Sequence, residues 1–289
     1  MTKVGNPIQN AQISLVFTET IKTISTQSDS NGSYYIEYRY DLEQEDSATL
    51  IIKKSNYADL QKQIRIDCGK RDTINFILDA LPQFVSESII SIHEKLLFPG
   101  DIFSVIFSTR IIDADGAGDI DSVFVVIPSL GKIFTLDYYP GSIYRITVPS
   151  ESFPEGSLEW LIGVDCYFEV LSQMKSRTRS GAVRLNRIIY ETIEQIAPFE
   201  DTVNNTFTCI WYSLQLSYPF SYGVEIYSLN GVIPQFPQLV YSSPTIIDTF
   251  INITITTGAS LRQYYWQALI RDNYGNISKS NQILFYIRN

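Results

Sequence analysis

The sequence has very little of what catalysis and metal chemistry draw on. It holds one histidine, His93, and three cysteines, Cys68, Cys166 and Cys209, too dispersed to form a zinc site or a redox pair. A serine–histidine–carboxylate triad would have to use His93, which stands beside Glu94 and Lys95, and no nucleophile-elbow motif occurs anywhere. The simpler reading of His93 is a surface or linker-proximal side chain. Ser172 and Lys175 match the Ser-x-x-Lys of penicillin-binding enzymes, but the companion Ser-Asp-Asn and Lys-Thr-Gly elements are missing, so the match is by chance. Only 18% of residues are charged and the net charge is −9, which argues against a nucleic-acid partner, since that would require a clustered basic face. Stretches of helical period are nearly absent, and there are only two methionines. The sequence shows no secretory signal, lipid-attachment cysteine or transmembrane run. It starts abruptly, Met1-Thr2-Lys3-Val4 leading straight into a turn, and the expectation is that a natural leader has been removed.

What is present favours pleated sheet. Nineteen Tyr and 16 Phe, with many Ile, Val and Thr, pack well on half-buried β surfaces. Strand signals recur every eight to twelve residues, separated by Gly, Pro, Asn and Asp clusters, which is the rhythm of a sandwich or barrel. Two breaks interrupt it, at Ala80-Leu81-Pro82-Gln83 and from Ile193 to Pro198. With a chain of 289 residues, too long for a single core, they predict three all-β sandwich domains in tandem: 1–82, 83–194 and 195–289.

In the first domain Tyr34, Ile36, Tyr38 and Tyr40 alternate with Tyr35, Glu37 and Arg39, which predicts a half-buried strand launched by the turn Asp29-Ser30-Asn31-Gly32. Further strands are expected at 13–17, 49–53, 64–67 and 74–78. Gly5-Asn6-Pro7-Ile8-Gln9-Asn10-Ala11-Gln12-Ile13, followed by Thr26 to Tyr34, resembles the carboxypeptidase regulatory-like domain, a prealbumin-like sandwich. That resemblance covers residues 1 to about 80, with the family's opening strand shortened, and implies an accessory module without catalytic residues. In the middle domain strands are expected at 102–109, 123–127, 133–136, 144–148, 158–164 and 182–189. Their pattern is similar to bacterial immunoglobulin-like domains, in which an Asp-Gly-rich turn precedes a Val-rich strand. In the third, Phe207-Thr208-Cys209-Ile210-Trp211, Tyr222 to Tyr227 and Tyr264 to Ser278 resemble a fibronectin type III domain. The resemblance implies Trp211 as the core tryptophan and Tyr264 or Tyr265 as a corner tyrosine. No Arg-Gly-Asp loop is present.

Two kinds of site candidate stand out. Asp113, Asp115, Asp119 and Asp121, interleaved with Gly116 and Gly118, offer four carboxylates to a hard cation such as Ca²⁺. The competing reading is an acidic inter-strand turn, and it is the simpler one. Tyr138 and Tyr139, with Phe220 in a second aromatic loop, are candidates for stacking on a sugar or anchoring a protein. Sequons at Asn31, Asn204, Asn252 and Asn276 matter only in a eukaryotic secretory setting. The expected function is therefore non-enzymatic: an extracellular or cell-envelope structural, adhesion or assembly protein, secreted or lipid-anchored and bacterial. It would meet a protein or a surface glycan. The alternative is a carbohydrate-binding accessory region of a larger glycan-active enzyme.

Overall fold

The computed structural model describes residues 1–17, 22–37, 46–67, 69–96, 100–229, 237–255 and 261–288. Among them there is no α-helix, only strands and short 3₁₀ turns. No helix among them is long and apolar enough to cross a membrane. Three hydrophobic cores lie along the described chain, one in each of three β-sandwich domains.

The first domain contributes β1 (Gln12–Phe17), β2 (Thr23–Gln27), β3 (Asp46–Lys53) and β4 (Leu60–Ile66), an antiparallel sheet in the order β2-β1-β3-β4. Ile13, Leu15 and Phe17 of β1 and Leu50 and Ile52 of β3 turn one face inward, the period of two that a pleated strand imposes. The strands expected at 34–40 and 74–78 differ. Residues 34–37 and 74–77 alternate in burial as a strand would, but neither stretch enters a hydrogen-bonded ladder with other described residues, and residues 38–40 lie outside the described residues. Side-chain period fixes which face is buried; it does not supply a neighbour.

The middle domain has β5 (Gln83–Lys95), β6 (Asp101–Ile112), β7 (Ile120–Ile127), β8 (Lys132–Thr135), β9 (Asp137–Tyr139), β10 (Ile143–Pro149), β11 (Tyr167–Ser172) and β12 (Arg177–Arg179). One layer runs β5-β6-β10-β9 and the other β12-β11-β7-β8, and between them Val105, Phe107, Val123, Val125, Phe168 and Val170 are fully buried. The strand expected at 158–164 is instead a 3₁₀ turn over Leu158–Leu161, with the Ser157 side chain accepting from the Glu159 N–H. Leu158 and Leu161 are still buried, so the apolar signal was real but its geometry was helical. Residues 182–189 run extended, and their β-pairing among the described residues is limited to single bridges at Val183 and Leu185.

The third domain has β13 (Gln195–Ala197), β14 (Thr202–Val203), β15 (Thr206–Trp211), β16 (Phe220–Ser228), β17 (Gln238–Ser242), β18 (Phe250–Thr254), β19 (Leu261–Asp272), β20 (Ile277–Lys279) and β21 (Ile283–Arg288). The sheet β13-β15-β18 faces β17-β16-β19-β21, the two-layer arrangement of an immunoglobulin-like sandwich. Trp211 and Trp266 are fully buried at its centre, and the Trp266 indole donates to the Pro198 carbonyl at 2.8 Å. Tyr264 stacks on Phe285 in the core, and Tyr265 stacks on Tyr227.

The domains are not beads on a loose thread. One edge of β19 pairs with β21 along its first half and with β20 along its second. β20 in turn pairs in parallel with β5, Ile277 opposite Ile92 and Lys279 opposite Glu94. A single sheet therefore runs from β9 of the middle domain into the third. The cores interleave as well: Ile188 packs in the middle core, while Ile189 and Ile193 pack in the third.

Candidate functional site

The polar chemistry of the chain gathers at the two joints between domains. At the first, the Asp-rich turn between β6 and β7 meets the start of the chain. Lys3 brings its ammonium between Asp79, at 2.5 Å, and Asp119. Asp115 accepts the main-chain N–H of Lys3 at 3.0 Å on one oxygen and that of Ala80 at 2.8 Å on the other. Asp79 also accepts from the Ser172 and Ser176 hydroxyls, at 3.1 and 2.8 Å. Asp79, Asp115 and Asp119 are all buried. Burial is the largest influence on Asp119 and Asp79 alike, favouring the protonated carboxyl. Lys3 works against it, and the balance leaves Asp119 above its ordinary range and Asp79 below it. For Lys3, burial disfavours the charge, but its bonds to Asp119 and Asp79 outweigh that and hold the ammonium above its usual value.

Of the four carboxylates expected to converge on a cation, the structure brings Asp115 and Asp119 together with Asp79, their oxygens within 4.8 Å of one another. Asp113 instead accepts the Asp115 N–H at 2.7 Å, a local turn bond. Asp121 points to the exposed Lys175 ammonium, 3.2 Å away. Calcium requires six to eight oxygens. Here both Asp115 oxygens hold main-chain N–H groups and a lysine ammonium sits against the other two carboxylates, so the residues present do not fit that ion. Lys3 and Asp79 carry no signature in the sequence; each is a lone charge whose partner lies more than 70 residues away.

At the second joint, Asp272 closes the turn after β19, accepting from the N–H groups of Tyr274 and Asn276, both at 2.9 Å, and from the Asn276 amide at 3.0 Å. Arg187 reaches Asp272 at 3.3 Å and lies over the Tyr218 ring at 3.7 Å. Asn276 is fully buried, its oxygen accepting the Ser91 N–H of β5 at 2.9 Å. Gly275 takes φ +88°, a conformation that glycine adopts without strain, and lies against Ile90 of β5. The Asp-x-x-Gly-Asn spelling of this turn is legible in sequence; its docking on β5 is not.

His93 is not on the surface. It is 2% exposed within this joint, stacked on Phe103 at 4.3 Å, with Nδ1 at 3.1 Å from Ser278 Oγ and Nε2 at 3.6 Å from Asp101. Ser278 has one proton, and its 2.7 Å bond to the Glu191 carbonyl uses it, so the proton between Ser278 and His93 belongs to Nδ1. Burial first of all holds the imidazole below its ordinary pKa, Asp101 opposing. The one described hydroxyl on His93, that of Ser278, already donates to a carbonyl. Cys166 and Cys209 are buried free thiols, Cys166 pushed up to about 12 and Cys209 higher still by burial, so neither is a nucleophile at neutral pH. Cys68 lies outside the described residues.

The aromatic candidates divide between domains. Tyr138 and Tyr139 form β9, an edge strand, 57% and 47% exposed, with Tyr138 edge-on against Tyr144 at 5.5 Å. Phe220 opens β16 in the third domain, half-buried against Tyr222 at 5.1 Å, more core cap than binding surface.

No family model matches this chain, and no curated protein matches it. Among solved structures it is similar to the fibronectin(III)-like modules of Clostridium thermocellum CbhA, at 11% identity and a TM-score of 0.28, over 72% of this chain and 93% of that one. It is also similar to the FN1–FN3 domains of chicken CNTN1, at 11% identity and a TM-score of 0.29, over 100% of this chain and 91% of that one.

Proposed function

We propose that this chain is a non-enzymatic spacer or assembly protein of the cell envelope or extracellular space. In this reading a carboxypeptidase regulatory-like, a bacterial immunoglobulin-like and a fibronectin type III domain form one stiff rod, secreted or lipid-anchored in a bacterium. The observation that carries it is the continuous sheet through β20 and β5, backed by buried Asn276, His93 and Asp272. Covalently tethered sandwiches have no need of a shared ladder unless their relative orientation matters. The Lys3–Asp79–Asp119 joint does the same work at the other boundary. Small-angle scattering tests it: the parent should give a single elongated shape, and Asp272→Ala should broaden the distance distribution by loosening the second joint. A parent that already scatters as independently tumbling modules would defeat the rod.

The exposed pair Tyr138 and Tyr139 on an edge strand favours one second reading, a carbohydrate-binding accessory region. Saturable binding on a glycan array that is lost in Tyr139→Ala would replace the spacer by this alternative.

A further inference from the structure

At the first joint an amine, a carboxyl able to acylate it and a second carboxyl able to carry protons meet in one buried cluster. Lys3 Nζ touches Oδ1 of Asp79 at 2.5 Å and also Oδ1 of Asp119. The contact is positioned from the main chain. Asp115 accepts the N–H of Lys3 on one oxygen and that of Ala80, the neighbour of Asp79, on the other. One carboxylate therefore clamps both segments, which turns an encounter between two side chains into an intramolecular one. The other oxygen of Asp79, Oδ2, accepts from the hydroxyls of Ser172 and Ser176. Ser172 is fully buried, and the turn that carries both serines is braced on the Asp-rich turn, the Gln173 N–H donating to the Asp119 carbonyl at 2.8 Å. Two hydroxyl donors thus sit where negative charge builds if a nucleophile adds to the Asp79 carboxyl carbon, the function of an oxyanion hole.

We propose that Lys3 and Asp79 condense to an isopeptide bond with release of water, Asp119 carrying the protons and Ser172 and Ser176 holding the oxyanion. The ion pair is the reactant. The Lys3 ammonium gives one proton to the Asp119 carboxylate, which passes it to Asp79 Oδ1, leaving a neutral amine against a neutral carboxyl. The amine lone pair then forms the N–C bond, and the carbonyl electron pair moves onto Oδ2 between the two serine hydroxyls. Asp119, a carboxylate again, takes a second proton from the nitrogen and returns it to Oδ1. The Oδ2 electrons re-form the carbonyl, the bond from carbon to Oδ1 breaks, and Oδ1 leaves as water. Nothing is oxidised or reduced, no proton enters or leaves overall, and Asp119 ends as it began.

Burial holds Asp119 above its ordinary range, which suits a group that must keep a proton briefly near neutral pH. Lys3 is held high and Asp79 low, so the neutral pair is a minor form and the bond closes slowly. The freshly folded chain carries the ion pair. Lys3 and Asp79 both belong to the first domain, whereas Asp119, Ser172 and Ser176 belong to the middle one. The bond therefore forms only where the two domains have docked, and it ties the start of the first domain to its end. Tension along the chain would then pass from Lys3 straight to Asp79 and spare the first core. This deepens the spacer reading above, on which that mechanical role rests.

The test follows the intact mass of the full chain while it stands for several days at neutral pH. The mass should come to fall one water short of the sequence mass. In a digest, trypsin should no longer cut after Lys3, and the peptide holding Lys3 should emerge joined to the one holding Asp79. Lys3→Arg keeps the cation and removes the nucleophile, so it should fold and lose no water. Asp119→Asn should slow closure about tenfold or more, and so should Ser172→Ala combined with Ser176→Ala. A parent mass that never changes overturns the proposal. So does a water loss that persists in Lys3→Arg, as ring closure at Asp115-Gly116 would give, a branch at Asp119 in place of Asp79, or closure in Asp119→Asn as fast as in the parent. Scattering reads shape and not mass, so a missing cross-link leaves the rod standing, and a flexible chain that still loses water leaves the cross-link standing.

Discussion

Replacing Lys3 by methionine keeps the aliphatic stem and removes the ammonium that serves both Asp79 and Asp119. The two carboxylates have side chains only 4% and 5% exposed, while Lys3 is 23% exposed. Breaking a fully buried ion pair by deleting one partner costs about 3–5 kcal/mol. Because the lysine reaches water and Asp79 keeps two serine donors, about 2–4 kcal/mol is expected for Lys3→Met at pH 7. The pH dependence gives the test its edge. In the parent, Asp79 is held low, so its contribution is present above the ordinary carboxylate value and lost as pH falls through its folded value. Lys3 is held high, so its contribution is present at neutral pH and lost only as pH rises through its folded value, above the usual lysine range. In the variant both carboxyls rise together, the folded state takes up a proton, and the penalty shrinks toward pH 4. The deficit should therefore be widest near neutrality. A multidomain chain has no single unfolding free energy, so the measurement is hydrogen exchange resolved by peptide, read at residues 1–17 and 113–121. Lys175→Met, which removes the exposed partner of Asp121, is the control and should cost about 0–1 kcal/mol. A Lys3→Met deficit below about 1 kcal/mol at pH 7, or one that does not narrow on acidification, would refute the view that this lysine seals the joint.

Other consequences are checked more simply. Calcium at millimolar concentration should leave the thermal transition unmoved, since the Lys3 ammonium sits against Asp79 and Asp119 and both Asp115 oxygens hold main-chain N–H groups; a clear upward shift would reinstate a metal site at Asp79, Asp115 and Asp119. His93 is depressed in the folded state, so the unfolded chain binds the proton first, and stability should fall as pH drops below the ordinary histidine value. One proton limits the slope to about 1.4 kcal/mol per pH unit, and His93→Gln should flatten the difference between pH 7 and pH 5. Asp272→Ala leaves the N–H groups of Tyr274 and Asn276 unpaired and should cost about 2–4 kcal/mol, seen as faster exchange on both β20 and β5. Phe168→Ala, in the fully buried middle core, should cost about 3–5 kcal/mol and lower the melting of that domain first.

The sequence by itself determined the class of fold and much of the core. Period-two alternation at Ile13–Phe17, Val123–Ile127, Phe207–Trp211 and Tyr222–Tyr227 is a local property, because successive side chains on a pleat must point to opposite faces. It was equally legible at 34–37 and 74–77, where burial alternates as expected. What alternation cannot encode is the partner: whether such a stretch joins a ladder depends on a second strand arriving at its edge, and among the described residues none does there. β5 went unread because Ser91 and His93 stand on inward positions with partners from distant segments, and β11 because Glu169, on the face opposite Phe168 and Val170, is buried under Arg177 and Arg179 of the adjoining β12. The Asp cluster shows the same division. Its spelling announced four carboxylates, but Lys3, 112 residues from Asp115, decided what they do. Turn chemistry and face are set within a few residues along the chain; edges, counter-ions and joints are set by contacts across it, and only the folded chain assembles those.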